Sequence, residues 1–383
     1  MVPVYGMMQA AHSNSIERVL IYRLGSLGDT VVALPCLHQV ARAFPNAERR
    51  LLTNLPVHSK APAAYAVLAG SGLIATSGLG GQHGDAAYFR YPIGTRDVGE
   101  LWRLRAEIRA WRPQALVYLT PRQRWQQVVR DVAFFRACGI TKIFGAPYAQ
   151  DARCNRLDAA TGLYEPEAAR LARTVRALGA MDLQDAKNWD LRLTLEERTR
   201  AEDVLRPLGQ RPMLACSVGT KVQAKDWGAE NWCAVLTALA ARHAEMGLVL
   251  LGAEEENGVS ELAAEAWQGR CVNLCGQLTP RESAAVLARA RLFLGHDSGP
   301  MHLAAAVQTR CVAIFAARNL PEVWYPQGAG HRVLYQATDC MGCGLETCIA
   351  QKKKCLTAIA PEAVLQAVEA TLSALDGSVG FVL

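Results

Sequence analysis

Apolar residues alternate between two patterns along this chain. One is the short, nearly unbroken run: 18–24 (RVLIYRL), 115–119, 213–217, 247–252, 292–294 and 311–315. Each is too short for a helix and reads as a strand buried on both faces, the habit of parallel sheets. Residues 50–54 and 141–144 read as two more strands. The other pattern recurs every three or four residues. Leu34, Leu37, Val40, Ala41 and Phe44 form one such stripe, and Trp232, Val235, Leu236 and Leu239 form another. These stripes predict helices over 30–44 and from about 229. Further helices are expected at 61–69, 98–111, 122–138, 167–178, 195–205, 301–307 and 361–375. Residues 70–84 are glycine-rich and read as a loop. The alternation of strand and helix predicts parallel α/β architecture.

The alternation breaks between 181 and 190, in mixed polar residues, so two domains are expected. The first covers 18–185 and the second 186–383, after a leader (1–17) expected to be disordered. The leader lacks a cationic start and an apolar core, so it does not read as a secretory signal. No run of about 20 apolar residues exists, so no membrane-spanning helix is expected. With 51% hydrophobic and 20% charged residues the chain falls in the globular class rather than the disordered one. A net charge of +6 is mild, but it is unevenly placed: residues 85–136 hold ten arginines, no lysine and five acids. That segment reads either as a solvated helical face or as a surface that attracts an anionic acceptor or membrane.

Candidate chemistry lies in the turns. Gly25-Ser26-Leu27-Gly28-Asp29 follows the first strand and opens a helix, without the G-x-G-x-x-G spacing of dinucleotide folds. Asp29 stands where open α/β sheets place ligands, and it reads either as a helix cap or as a carboxylate facing a ligand. Gly295-His296-Asp297-Ser298-Gly299 follows the strand at 292–294, and Pro300 suits a helix start. Unpaired N–H groups there suit a phosphate, and Asp297 could accept hydrogen bonds from sugar hydroxyls; the plain alternative is that Asp297 or Ser298 caps the helix. Thr220, Lys221 and Lys225 lie between a strand and a helix, where lysines can neutralise phosphate or simply be solvated. Glu254, Glu255 and Glu256 follow another strand, and one of them could hold ribose hydroxyls. Thr279 to Glu282 is a capping box.

Of twelve cysteines, most lie in apolar runs and read as reduced core residues. Cys340, Cys343, Cys348 and Cys355 are set apart: four thiolates could hold zinc or iron tetrahedrally, or stay free in a redox-sensitive loop. They lie far along the chain from Asp29, Lys225 and Asp297, so a metal there is expected to be structural and its loss to loosen 340–355 before it touches any chemistry.

Three strings, in order, resemble signatures of glycosyltransferase family 9, the ADP-heptose:lipopolysaccharide heptosyltransferases. They are RLGSLGDTVVALP at 23–35, AKDWGAENW at 224–232 and DSGPMHLAAA at 297–306. Gly228 stands where the family usually has proline. The resemblance implies a GT-B fold: two Rossmann-like domains facing across a cleft, the first presenting the acceptor and the second binding the nucleotide sugar. It implies inverting heptosyl transfer from ADP-heptose, with Asp29 as base and Lys225 on the diphosphate. Donor contacts are expected from Ser26, Thr220, Lys221, Lys225, Glu255, Asp297, Ser298, Gly299 and His302. No catalytic metal is needed, because lysine and a helix terminus supply the positive charge. The implied acceptor is an anionic glycolipid, and the implied location is cytoplasmic, peripheral on the inner membrane; nucleic acid is not an expected partner. Two other readings stay open: a same-fold transferase using another nucleotide sugar or a protein or small-molecule acceptor, and a non-catalytic scaffolding descendant.

Overall fold

The computed structural model describes residues 16–55, 63–74, 87–92, 97–121 and 123–379. Nearly all of the expected leader, residues 75–84 of the expected loop, and Arg96 and Arg122 lie outside the described residues. The chain forms two compact units, residues 1–157 with 165–192, and residues 158–164 with 193–383.

The first unit is a parallel sheet with strands β1 (Arg18–Tyr22), β2 (Glu48–Leu55), β3 (Tyr88–Pro92), β4 (Ala115–Tyr118) and β5 (Lys142–Phe144), in the order β3-β2-β1-β4-β5. Its helices are α1 (Leu27–Val32), α2 (Leu34–Ala43), α3 (Ala63–Leu68), α4 (Val98–Trp111), α5 (Trp125–Ala137) and α6 (Glu167–Thr174). The second unit begins with α7 (Leu195–Leu205). Its sheet runs β11-β10-β9-β6-β7-β8, built from β6 (Met213–Ser217), β7 (Gly247–Leu250), β8 (Cys271–Asn273), β9 (Leu292–His296), β10 (Cys311–Phe315) and β11 (Arg332–Tyr335). Around it are α8 (Ala229–Arg242), α9 (Asn257–Trp267), α10 (Pro280–Leu287), α11 (Gly299–Ala306) and α12 (Pro361–Val379). All the strand pairings are parallel. This is the doubly wound architecture repeated twice, the GT-B class.

Several boundaries differ from the expectations. The helix expected over 30–44 is two helices, because Pro35 has no N–H to continue the ladder. The break falls at Ala33, whose N–H turns to the Thr30 carbonyl at 3.1 Å. The edge strands β3, β8 and β11 were not legible as apolar runs, since half-exposed edges do not need them. The first unit extends to Arg192, past the polar break: Trp189 and Leu191 are buried, and the His38 imidazole meets the Asp190 carbonyl at 2.8 Å.

Each sheet reverses its strand order once, between β1 and β4 in the first unit and between β6 and β9 in the second. The loops at the carboxyl ends of those strands flank the crevice where open α/β sheets hold ligands. Asp29 follows β1, the lysines follow β6 and Asp297 follows β9. At the second crevice β6 and β9 pair directly, Ser217 opposite Gly295. A Cβ on Gly295 would lie 2.7 Å from the Phe293 ring and 3.0 Å from the Ser217 carbonyl, so a side chain there would pry the two loops apart.

Candidate active site

In the first unit the turn after β1 is drawn tight around Asp29. Ser26 is the N-cap of α1, and Asp29, at the third helical position, completes a capping box with it. The Ser26 N–H and hydroxyl both donate to Asp29 Oδ2, each at 2.7 Å. Asp29 is therefore not the cap itself but its reciprocal partner. Oδ1 faces Arg23, whose Nη2 lies 3.6 Å away and also donates to the Asp29 carbonyl. Gly25 has φ +119° and no room for a Cβ, which would sit 2.6 Å from the Asp29 carboxyl carbon. Arg23 is fully buried, donates to the Leu119 carbonyl at 2.8 Å, and has a pKa lowered by burial, with the Asp29 charge opposing. The result is a carboxylate with one oxygen held by two donors and the other backed by a buried cation, with 18% of the side chain left open.

In the second unit the loops after β6 and β9 meet. Lys225 Nζ lies 2.8 Å from Asp297 Oδ2 and donates to the Asp297 carbonyl at 2.9 Å. Asn319, in the loop after β10, donates to the same Oδ2 at 2.9 Å, and His302 Nε2 stands 4.0 Å from Oδ1. Asp297 is thus the hub of a buried polar group rather than a helix cap. Ser298 is the N-cap position of α11, yet its side chain makes no cap hydrogen bond and instead donates to the His296 carbonyl at 3.3 Å. The Ser298 side chain therefore does not occupy the leading N–H groups of α11, and such a helix start is where an anion can be met. His296 lies beneath, its Nε2 accepting from the Trp227 N–H at 3.2 Å; burial pushes its pKa down to about 4, so it is a neutral structural group.

The comparisons are made on this geometry. The sequence profile of glycosyltransferase family 9 (heptosyltransferase) matches residues 148–354, more than half the chain. The chain belongs to this family. It is 28% identical over 149 residues to lipooligosaccharide heptosyltransferase 2 of Campylobacter jejuni, a match that spans 37% of this chain and only 45% of that protein. In structure it resembles a family 9 glycosyltransferase of Veillonella parvula (TM-score 0.67, 18% identity, covering 94% of this chain and 98% of the other). It also resembles E. coli ADP-heptose LPS heptosyltransferase II (TM-score 0.63, 17% identity, 94% and 99%).

The loops after β6 and β9 gather some of the expected donor-contact residues and not others. Lys225, Asp297, Ser298 and His302 come together. Thr220 is half-buried, its Oγ accepting from the Val222 N–H at 3.3 Å, and Lys221 is exposed. Ser26 lies in the first unit, its hydroxyl committed to Asp29. Of the three glutamates, Glu255 is exposed, as is Glu254. Glu256 turns in over the loop after β6: a Cβ on Gly219 would meet its side chain at 2.5 Å, and its carboxylate accepts from the Ala253 N–H at 2.9 Å. Burial raises its pKa, with Lys221 opposing. Asn319 was missed in the sequence. Its only signal is being a polar residue shortly beyond the carboxyl end of a buried strand.

The cysteine segment is close to this site in space, contrary to its distance along the chain. Ala224 N–H donates to the Glu346 carbonyl at 3.0 Å and Cys348 N–H to Gln223 Oε1 at 2.8 Å, so 340–355 packs on the turn that carries Lys225. Lys353 Nζ donates to the Asp226 carbonyl at 2.7 Å. Cys340, Cys343, Cys348 and Cys355 line one cavity of about 10 Å³ with Ala224, Ala317 and Arg318. Among the described residues no three His, Cys, Asp or Glu side chains stand in a metal-holding arrangement.

Proposed function

We propose that this chain moves a heptosyl group from ADP-heptose to an acceptor hydroxyl, with inversion at the anomeric carbon, in assembly of a lipopolysaccharide core. The observation that carries this reading is the Lys225–Asp297 pair beside the uncapped start of α11. It offers a cation and backbone N–H donors to a diphosphate, and Asp297 and Glu256 as acceptors for donor hydroxyls. The structurally similar E. coli protein is an ADP-heptose LPS heptosyltransferase. In the reaction Asp29 takes the acceptor proton as that oxygen attacks the anomeric carbon; the bond from that carbon to the diphosphate oxygen breaks, and ADP leaves. Lys225 and the α11 N–H groups meet the charge that grows on the diphosphate, which is where electrostatic help counts most.

The test is a panel of nucleotide sugars read by thermal shift, since a ligand stabilises the folded state by RT ln(1 + [L]/Kd). ADP-heptose is expected to give the largest shift, and the product formed from it to carry the inverted anomer by NMR. A larger shift from another nucleotide sugar would move the assignment to a same-fold transferase with a different donor. A retained anomer would remove Asp29 as base in a single displacement. The acceptor in this reading is an anionic glycolipid, met on the cytoplasmic face of the inner membrane. Among the described residues no helix is long and apolar enough to cross a membrane.

We also propose a structural zinc or iron at Cys340, Cys343, Cys348 and Cys355. Four thiols line a space of about 10 Å³, roughly that of one small sphere; they do not stand in a metal-holding arrangement as placed and would ligate by turning inward. Burial, with Cys340 and Cys348 adding, pushes the Cys355 thiol up, a cost that a bound cation reverses. Because the segment packs on the Lys225 turn, metal removal is expected to weaken ADP binding as well as loosen 340–355. Elemental analysis with ADP titration before and after chelation checks this. Metal-free protein as isolated, with all four thiols reacting freely, would leave a thiol loop instead.

A further inference from the structure

Helices α4 and α5 lie side by side on one face of the first sheet, sharing a core through Leu104, Ile108, Trp111 and Phe135. Arg105 Nε on α4 donates to the Ala137 carbonyl at the end of α5 at 3.1 Å. Their outer faces have the same two-part layout. At the helix starts stand large apolar side chains open to water: Val98 (63% exposed), Trp102 (60%) and Trp125 (56%), with Leu101 and Val129 beside them. Toward the helix ends the same stripes turn cationic, with Arg105 and Arg109 on α4, Arg112 at its C-cap, and Arg136 on α5. Arg105 stacks over Trp102 at 4.9 Å. Between the helix ends an open cleft of about 690 Å³ is lined by Arg109, Arg112, Arg136 and Lys142, with no acid among its described lining.

Tryptophans this open are costly in water unless something covers them, and the cations of the cleft have no carboxylate beside them among its described lining. An apolar protein partner would explain the tryptophans but not the cationic cleft; a polyanion would explain the cleft but not the tryptophans. A bilayer with anionic headgroups suits both, with indoles at the headgroup level and arginines against phosphate. We propose that the outer face of α4 and α5 is the surface by which this protein docks on anionic lipid. The helix starts follow the carboxyl ends of β3 and β4, the same sheet edge that carries Asp29, so docking there would bring membrane-anchored acceptors to that edge. This deepens the membrane-side location proposed above, but its test needs neither donor nor acceptor.

The full chain is floated with phosphatidylcholine vesicles, with and without phosphatidylglycerol, at low and high salt. Binding is expected only with phosphatidylglycerol and to fall with salt. Trp102→Ser/Trp125→Ser and, separately, Arg109→Ser/Lys142→Ser should each weaken it at least tenfold, as each cation removed near an anionic surface costs about fivefold. Their melting temperatures and ADP binding should match the parent's. Equal binding to neutral vesicles, or variants that float like the parent, would overturn the proposal. So would a solution dimer that the tryptophan substitutions dissociate while vesicle binding is absent, which would make the face a contact between copies. Loss of vesicle binding with heptosyl transfer intact, or the reverse, separates this surface from the catalytic reading.

Discussion

Asp29→Asn is expected to cut transfer by about 10²–10⁴-fold, the usual worth of a positioned general base, while ADP affinity stays at the parent value. Asparagine keeps the shape and leaves an acceptor for the Ser26 N–H and hydroxyl, so the capping box survives in outline. It cannot take a proton. It also removes the negative charge nearest Arg23, which is fully buried. Some stability is therefore lost, on the order of 1–3 kcal/mol for a charged group left with poorer partners. The rate must accordingly be expressed per folded molecule, with circular dichroism and a thermal melt alongside. If the variant melts early but its folded fraction turns over like the parent, Asp29 serves only the capping box and the buried arginine. ADP binding is the control, because Lys225 and Asp297, which carry the proposed diphosphate contacts, belong to the other unit.

Much of this arrangement could be read from the chain, for a physical reason. Parallel strands buried on both faces must be apolar throughout, so β1, β4, β6, β7, β9 and β10 stand out as runs, and the turns after β1, β6 and β9 follow from them. What could not be read depends on contacts between distant residues. Arg23 sits inside an apolar run and looks like a strand-end charge; that it is wholly buried behind Asp29 depends on the Leu119 carbonyl, 96 residues on. The choice among Glu254, Glu255 and Glu256 turns on a short 3₁₀ segment that rotates Glu256 inward, and no periodicity reports a single turn. The cysteines looked remote because chain distance was the only distance to hand, yet they pack on the turn of Lys225. Pro35 was visible, but whether it would start a helix or split one depends on where the first turn of α1 closes.

Lys225→Ala should weaken ADP binding and slow the chemical step as well. The Nζ is held by Asp297 twice, through Oδ2 at 2.8 Å and the carbonyl at 2.9 Å, with 17% of its side chain exposed. That geometry has two explanations with different consequences. If the lysine is only the counter-ion of a buried carboxylate, its loss leaves Asp297 with Asn319 and His302 and costs stability, but an ADP-saturated enzyme keeps its rate. If it serves the diphosphate, the charge on the departing ADP exceeds that in the bound donor, so the lysine matters more in the transition state than in the ground state. A charge-assisted hydrogen bond is worth about 1.5–3 kcal/mol, which predicts a fall in kcat/KM of roughly 10- to 150-fold, with kcat carrying part of it. Asp297→Asn divides the explanations further. It keeps an acceptor for the lysine and removes the carboxylate's charge, so the lysine's positive charge is no longer offset: a phosphate-serving Lys225 should bind ADP at least as tightly as in the parent, whereas recognition of donor hydroxyls suffers. Calorimetric titration with ADP and with the intact nucleotide sugar reads both halves. Parent-like ADP affinity and kcat in Lys225→Ala, with only a lowered melting temperature, would show that the pair is structural.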